Sequence, residues 1–319
     1  MARFSRNKIA LIGGGHIGGN LALMAIQKRL GDVVLFDIVE GLPQGKALDI
    51  AQSTPVEGLN SNIMGTNDYG DIEGADVVII TAGMPRKPGM SRDDLLEKNA
   101  IIIKSVAENV KKYAPDAIVI MISNPLDAMV YLFSEISGFD KRHVIGMSGI
   151  LDASRFRTFI SMETGISVAD IRTFVIGGHG DNMVPLARYS FIGGIPLPEY
   201  PGMTPDIIDA MVDRTRNGGG EIVGLLKTGS AFYAPAAGAI SMAEAILLDQ
   251  KRIFSAASFL NGEYGYKNIF ISVPVVLGGN GVEKIIEIEL TPEERKSLNK
   301  SSDGVDALKV DLVRMGFLQ

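Results

Sequence analysis

Only three histidines occur in the 319 residues, and one of them, His179, stands in a setting suited to moving a proton. It lies in Ile176-Gly-Gly-His-Gly-Asp181, where flanking glycines clear space around the ring. An imidazole accepts and donates a proton close to neutral pH, which suits a reaction run in both directions. His16 falls in a glycine-rich turn and His143 opens an apolar run that reads as a buried strand, so His179 is the candidate acid/base. A lone histidine in such a loop also reads as purely structural, and its neighbours bear on the choice. Leu151-Asp-Ala-Ser-Arg155-Phe-Arg157 offers two of them. On a helix, Asp152 and Arg155 share a face. Asp152 can orient His179 and stabilise its imidazolium, while Arg155 can grip a carboxylate through two parallel hydrogen bonds. The same spacing also describes a surface ion pair worth a few tenths of a kcal/mol. The run TAGMPRKPGMSR at 81–92 is punctuated by glycine and proline and carries Arg86 and Arg92. These are either cations on a lid over an anionic substrate or solvated charges on a loop. Asn124, in Ser123-Asn-Pro125 at a strand end, can donate to a substrate hydroxyl.

A second constellation names the partner of that proton. Gly13-Gly14-Gly15-His16-Ile17-Gly18 follows the apolar run Lys8–Ile12 and opens a helical stretch. Glycines are required where a tight turn brings backbone against a pyrophosphate, and the helix N-terminus then offers free N–H groups to phosphate. Asp37 ends the next apolar run, about 20 residues on, where a carboxylate accepts both ribose hydroxyls. It would repel a 2′-phosphate, so NAD is expected rather than NADP. Thr81, Ala82 and Gly83 are small enough to let a dinucleotide lie across the sheet edge. A nicotinamide beside a base implies hydride transfer from a carbon that bears a hydroxyl.

The elements that must position these groups alternate. Apolar runs at 8–12, 33–37, 77–81, 117–122 and 143–147 read as strands, with helices at about 21–30 and 91–113, which means a parallel sheet with helices on both faces. Beyond about Met147 the pattern changes to helices around a strand at 172–176 and further strands at 269–277 and 282–290, joined by the hairpin signal Gly278-Gly-Asn-Gly281. Thr291-Pro-Glu-Glu294 starts a terminal helix. The fold class is thus α/β, a doubly wound parallel sheet over 1–148 followed by an α+β substrate domain over 149–319. Net charge is -6 without a basic tract, which argues against nucleic acid and anionic membranes. It also means that an anionic substrate needs a local arginine cluster. With no cysteine, thiol catalysis and Cys-ligated zinc are excluded, and no metal is expected. The short polar start and the lack of a long apolar stretch suggest a soluble, cytoplasmic protein.

The six motifs GGGHIG, Asp37, TAGMPRKPGMSR, SNP, LDASRFR and GGHGD stand in the order of the lactate/malate dehydrogenase family, and the chain resembles that family over essentially its full length. The resemblance implies a Rossmann-type first domain, NAD as cofactor and a dimeric or tetrameric homo-oligomer. It implies His179 as proton acceptor with Asp152 as its partner, Arg155 on the C1 carboxylate and Arg92 polarising the C2 oxygen. Asn124 would hold substrate and the nicotinamide ribose region, and Asn99, Ile122 and Ser123 match cofactor contacts. Position 86 separates branches: lactate enzymes carry glutamine there and malate enzymes arginine. Arg86 therefore points to malate and oxaloacetate as substrates, in the tricarboxylic acid cycle.

Overall fold

The computed structural model describes residues 6–60, 62–85 and 89–318. The first half alternates β1 (Lys8–Ile12), α1 (His16–Gln27), β2 (Asp32–Phe36), α2 (Leu42–Glu57), β3 (Ile63–Thr66), β4 (Val77–Ile80), α3 (Arg92–Tyr113), β5 (Ile118–Met121), α4 (Leu126–Ser137) and β6 (Val144–Gly146). The second half begins with α5 (Gly149–Thr164), then the short strands β7 (Ile171–Arg172), β8 (Val175–Ile176), β9 (Val184–Pro185), β10 (Phe191–Ile192) and β11 (Ile195–Pro196). It continues through α6 (Pro205–Leu226), α7 (Tyr233–Leu247), β12 (Arg252–Asn261), β13 (Lys267–Gly278), β14 (Gly281–Ile285) and α8 (Pro292–Arg314).

Strands β1 to β6 lie parallel in the order β3-β2-β1-β4-β5-β6. The chain reverses its direction of winding between β1 and β4, which opens a crevice at their carboxyl ends where a dinucleotide binds in such sheets. Alternate side chains feed two cores. Ile9, Leu11, Ile79 and Ile120 face α1 and α7, whereas Ala10, Ile12, Val78 and Val119 face α3, α4 and the end of α8. A third core, around Phe156, Ile160, Ile171 and Ile208, holds α5 and α6 together. No helix among the described residues is long and apolar enough to cross a membrane.

Several expectations are corrected. Strands β12 to β14 of the second half continue the first sheet: β12 pairs antiparallel with β6 through Ala257 and Gly146, giving one sheet of nine strands among the described residues. Strand β12 escapes the pattern because its centre, Ser255-Ala-Ala-Ser258, is small and polar in composition yet buried on both faces. Helix α2 has little periodicity, with a proline at Pro55, and β3 is a short edge strand, so neither was expected. Helix α1 begins at His16, so the glycine motif opens it as expected, although Gly18 and Gly19 inside its first turn hide that turn from the apolar pattern, which marks only about 21–30. The strand expected over 172–176 is broken into β7 and β8, which pair with different partners. His143 sits in a 3-10 turn before β6, and the final strand stops at Ile285. The helix at Thr291 forms as expected, with Thr291 and Glu294 exchanging capping hydrogen bonds of 3.2 and 2.9 Å.

The joint between β6 and β12 is tight: a Cβ on Gly146 would lie 2.8 Å from the Cβ of Ala257. Gly146→Ala should therefore destabilise the protein by about 1–3 kcal/mol, as overpacking does, seen as a lower urea midpoint at unchanged m-value.

Candidate active site

The turn between β1 and α1 is built by crowding. Gly13 has φ 114°, and a Cβ there would lie 2.5 Å from Thr81 Oγ1, while a Cβ on Gly18 would fall 1.8 Å from the Gly13 carbonyl oxygen. The ends of β1 and β4 and the start of α1 can therefore meet only through glycine. Gly15 and His16 are exposed beside them, and no side chain caps α1, so its first N–H groups are available to an anion. Asp37, just past β2, accepts the Gly14 N–H at 2.6 Å and the Val39 N–H at 2.9 Å, which fixes its half-buried carboxylate at the rim of the turn. Lys46 on α2 donates to the Gly15 carbonyl at 2.8 Å. Ile17 packs inward from α1 against the core below the sheet edge. A bare backbone cradle, a helix N-terminus and an acid at the sheet edge fit a dinucleotide.

Other residues expected to contact a cofactor serve partly as clamps. Thr81 Oγ1 donates to the Gly13 carbonyl at 3.1 Å, and buried Ser123 donates to Ala82 at 2.5 Å. Asn99 is 1% exposed. Its amide donates to the carbonyls of Met84 and Asn124, at 3.1 and 2.6 Å, and accepts the Met84 N–H at 2.7 Å. It thereby stitches the loop that follows β4 to the turn that follows β5. Gly83 packs against Asn99, and Ile122 is buried beneath.

The catalytic candidates meet as a chain of charges. His179 Nδ1 lies 2.9 Å from Asp152 Oδ2, and Arg155 Nη1 lies 3.0 Å from Asp152 Oδ1. The Asp152 side chain is only 2% exposed, so this carboxylate is shielded from water and flanked by both partners. The surface ion pair that the spacing also allowed is thus ruled out. Burial alone would favour neutral imidazole; the charge and hydrogen bond of Asp152, helped by Asp127, overcome it and raise the His179 pKa above its ordinary 6.5. Arg92, the exposed first residue of α3, lines with Asn124 and His179 a cavity of about 500 Å³ floored by Asp127 and walled by α8. Arg86 lies outside the described residues.

Two residues of this site were missed in the sequence. Asp127 is 4% exposed and its Oδ2 accepts the backbone N–H of His179 at 2.9 Å. Burial pushes its carboxyl up to about 6, against the pull of the nearby imidazolium. The visible signal was an acid opening the apolar helix Leu126-Asp-Ala-Met-Val, which also reads as an ordinary helix-dipole residue. Ser301 on α8 accepts the Gly178 N–H at 2.7 Å. A serine in an amphipathic helix offers no such signal. Among the described residues, no group of three or more His, Asp or Glu side chains is arranged to hold a metal ion.

Family models agree with this geometry. Residues 7–146 match the lactate/malate dehydrogenase NAD binding domain, and residues 150–312 match the lactate/malate dehydrogenase alpha/beta C-terminal domain. The chain belongs to the lactate/malate dehydrogenase family. Among solved structures, it is 50% identical to Cryptosporidium parvum malate dehydrogenase, over 97% of this chain and 99% of that one, with a TM-score of 0.94. It is equally 50% identical to the C. parvum lactate dehydrogenase complexed with lactic acid and nicotinamide adenine dinucleotide, over 97% and 98%, with a TM-score of 0.93. Salinibacter ruber malate dehydrogenase is 46% identical over 97% and 98%, with a TM-score of 0.92. The chain is an oxidoreductase of this family with an NAD-binding first domain.

Two outcomes follow for Asp127 and the turn. The Asp127 pKa is higher folded than unfolded, so the carboxyl disfavours the folded state as it ionises. Stability of the wild type relative to Asp127→Asn should therefore fall as pH rises from 3.8 towards about 6, in urea titrations. A pH-independent difference would contradict the buried ionisation. Gly18→Ala should abolish NADH binding, read by quenching or enhancement of cofactor fluorescence, because the methyl has no room beside Gly13.

Proposed function

We propose that the chain is an NAD-dependent malate dehydrogenase, which interconverts (S)-malate and oxaloacetate. NAD, held by the Gly13–Gly18 turn and Asp37, would supply the hydride acceptor for C2 of the alcohol. The rest is work for the chain's own residues. With Nδ1 of His179 committed to Asp152, Nε2 is the free lone pair, and it takes the hydroxyl proton. Asp152 holds the ring in that tautomer and balances the imidazolium formed. Arg155 pairs with the C1 carboxylate and Asn124 donates to the C2 oxygen. Arg92, on the same cavity wall, supplies positive charge to that oxygen as it becomes a carbonyl or an alkoxide. Residues 1–148 hold the cofactor and lend Arg86, Arg92 and Asn124 to the substrate, and 149–319 supply His179, Asp152 and Arg155, in a cytoplasmic homo-oligomer acting in the tricarboxylic acid cycle.

The substrate choice rests on the arginine at position 86. Overall similarity does not decide it, since a malate and a lactate enzyme are matched at the same identity. A charge-assisted pair from Arg86 to a second carboxylate contributes roughly 1.5–3 kcal/mol. A methyl in that place would leave a desolvated guanidinium unpaired, a further cost of several kcal/mol.

Steady-state NADH oxidation tests the reading. The kcat/KM for oxaloacetate should exceed that for pyruvate by roughly a thousandfold, about 1.4 kcal/mol being tenfold. Arg86→Gln should move the ratio by orders of magnitude towards pyruvate. A wild-type preference for pyruvate would instead favour a lactate dehydrogenase. The pH profiles should be mirror images. Malate oxidation needs neutral His179 and rises with pH through a midpoint above 6.5, whereas oxaloacetate reduction falls through it. Asp152→Asn should lower that midpoint and slow turnover by at least about a hundredfold.

A further inference from the structure

Helix α6 carries three consecutive glycines, Gly218 to Gly220, and a fourth at Gly224. Glycine is the poorest non-proline helix former, so a run of it in a long helix calls for a reason. The surroundings of the four positions differ. A Cβ on Gly218 would lie 3.1 Å from Arg155 Cδ and 3.6 Å from its Nε, and one on Gly219 would lie 3.5 Å from Nη2. At Gly220 and Gly224 a Cβ would meet nothing within 4 Å among the described residues. Only the first two therefore touch a neighbour, and both touch the same arginine. The Arg155 side chain is 13% exposed, held at Nη1 by Asp152, and its Nε is buried without a hydrogen-bond partner among the described residues.

We propose that Gly218 and Gly219 are positioning residues for substrate binding, forming a side-chain-free seat on α6 on which the Arg155 guanidinium lies flat. The proposal rests on Arg155 being the group that pairs with the substrate carboxylate. The arginine reaches across from α5 and lies against bare helix backbone, close enough that a methyl at 218 must displace its Cδ by a few tenths of an ångström. Because Nη1 is tethered to Asp152, the side chain cannot move aside freely. Any displacement either shifts the clamp relative to the substrate or strains the carboxylate that orients His179. Gly219 lies in ordinary contact distance of Nη2, so a methyl there narrows the approach to that nitrogen without forcing it to move.

The test compares the full-length variants Gly218→Ala, Gly219→Ala, Gly220→Ala and Gly224→Ala with the wild type. The readouts are NADH affinity by fluorescence, KM and kcat for oxaloacetate, and Tm. Alanine is the better helix former, so a purely structural role for the glycines predicts an equal or higher Tm and unchanged kinetics in all four. The seat predicts a KM for oxaloacetate raised about tenfold in Gly218→Ala, less in Gly219→Ala, and unchanged in the other two, with NADH affinity constant throughout. A KM in Gly218→Ala within about twofold of wild type, or an equal rise in Gly220→Ala, overturns the seat. Should Gly218→Ala fail to fold, the contrast between Gly219→Ala and Gly220→Ala decides in its place: a rise confined to Gly219→Ala supports the seat, and equal KM values overturn it. Arg155→Lys separates the two levels. If it cripples kcat/KM while Gly218→Ala is silent, only the seat falls; if Arg155→Lys is itself silent, the assignment of the clamp falls and the seat with it.

Discussion

A carboxylate removed from water is costly unless it is paired, and the site is organised around one that is paired twice. Asp152 lies between His179 and Arg155, at 2.9 and 3.0 Å. Its single negative charge holds the imidazole and the guanidinium on either side of it. Neither partner can be moved without disturbing the other, so under the proposed function one side chain couples proton transfer to carboxylate recognition. The second carboxyl below, Asp127, acts on the same imidazole through its backbone N–H. Two buried acids beneath one histidine account for a ring that remains basic although burial works against its charge.

The fold brings these groups together from distant stretches of chain. Asp127 opens α4 and Asp152 belongs to α5, while His179 lies between the short strands β8 and β9 and Ser301 comes from α8. Gly177 and Gly178 let the loop pass close to Asp127, Ser301 and Val305, where side chains would collide. The backbone of the histidine loop is thus held by α4 and α8, and its side chain by α5. On the cofactor side, Asn99 does comparable work by joining the turns that follow β4 and β5.

Much of this was legible in the residues. Strong local signals carried the glycine turn, Asp37 and the parallel strands of the first half, whereas the pairing of Asp152 with His179, 27 residues apart, stood in the sequence beside a structural alternative. Elements were lost where the local signal was weak and the tertiary one decided. Strand β12 is built from alanine and serine because it is packed between β6 and β13, an environment invisible in its own sequence. Asp127 left no distinctive mark in the local sequence because its hydrogen-bond partner lies 52 residues away. Asn99 was expected at the cofactor, and its backbone hydrogen bonds, to the turns that follow β4 and β5, have partners 15 and 25 residues away. Arg86, on which the proposed choice of substrate turns, lies outside the described residues.

The continuity of the nine-stranded sheet constrains how such chains can be recombined. The halves matched by separate family models share one set of hydrogen bonds across β6 and β12, at a seam where Gly146 and Ala257 are sized to each other. A hybrid that takes its cofactor half from one relative and its substrate half from another must carry this pair over as a unit. A crossover placed between them would graft mismatched edges, however well each half is made.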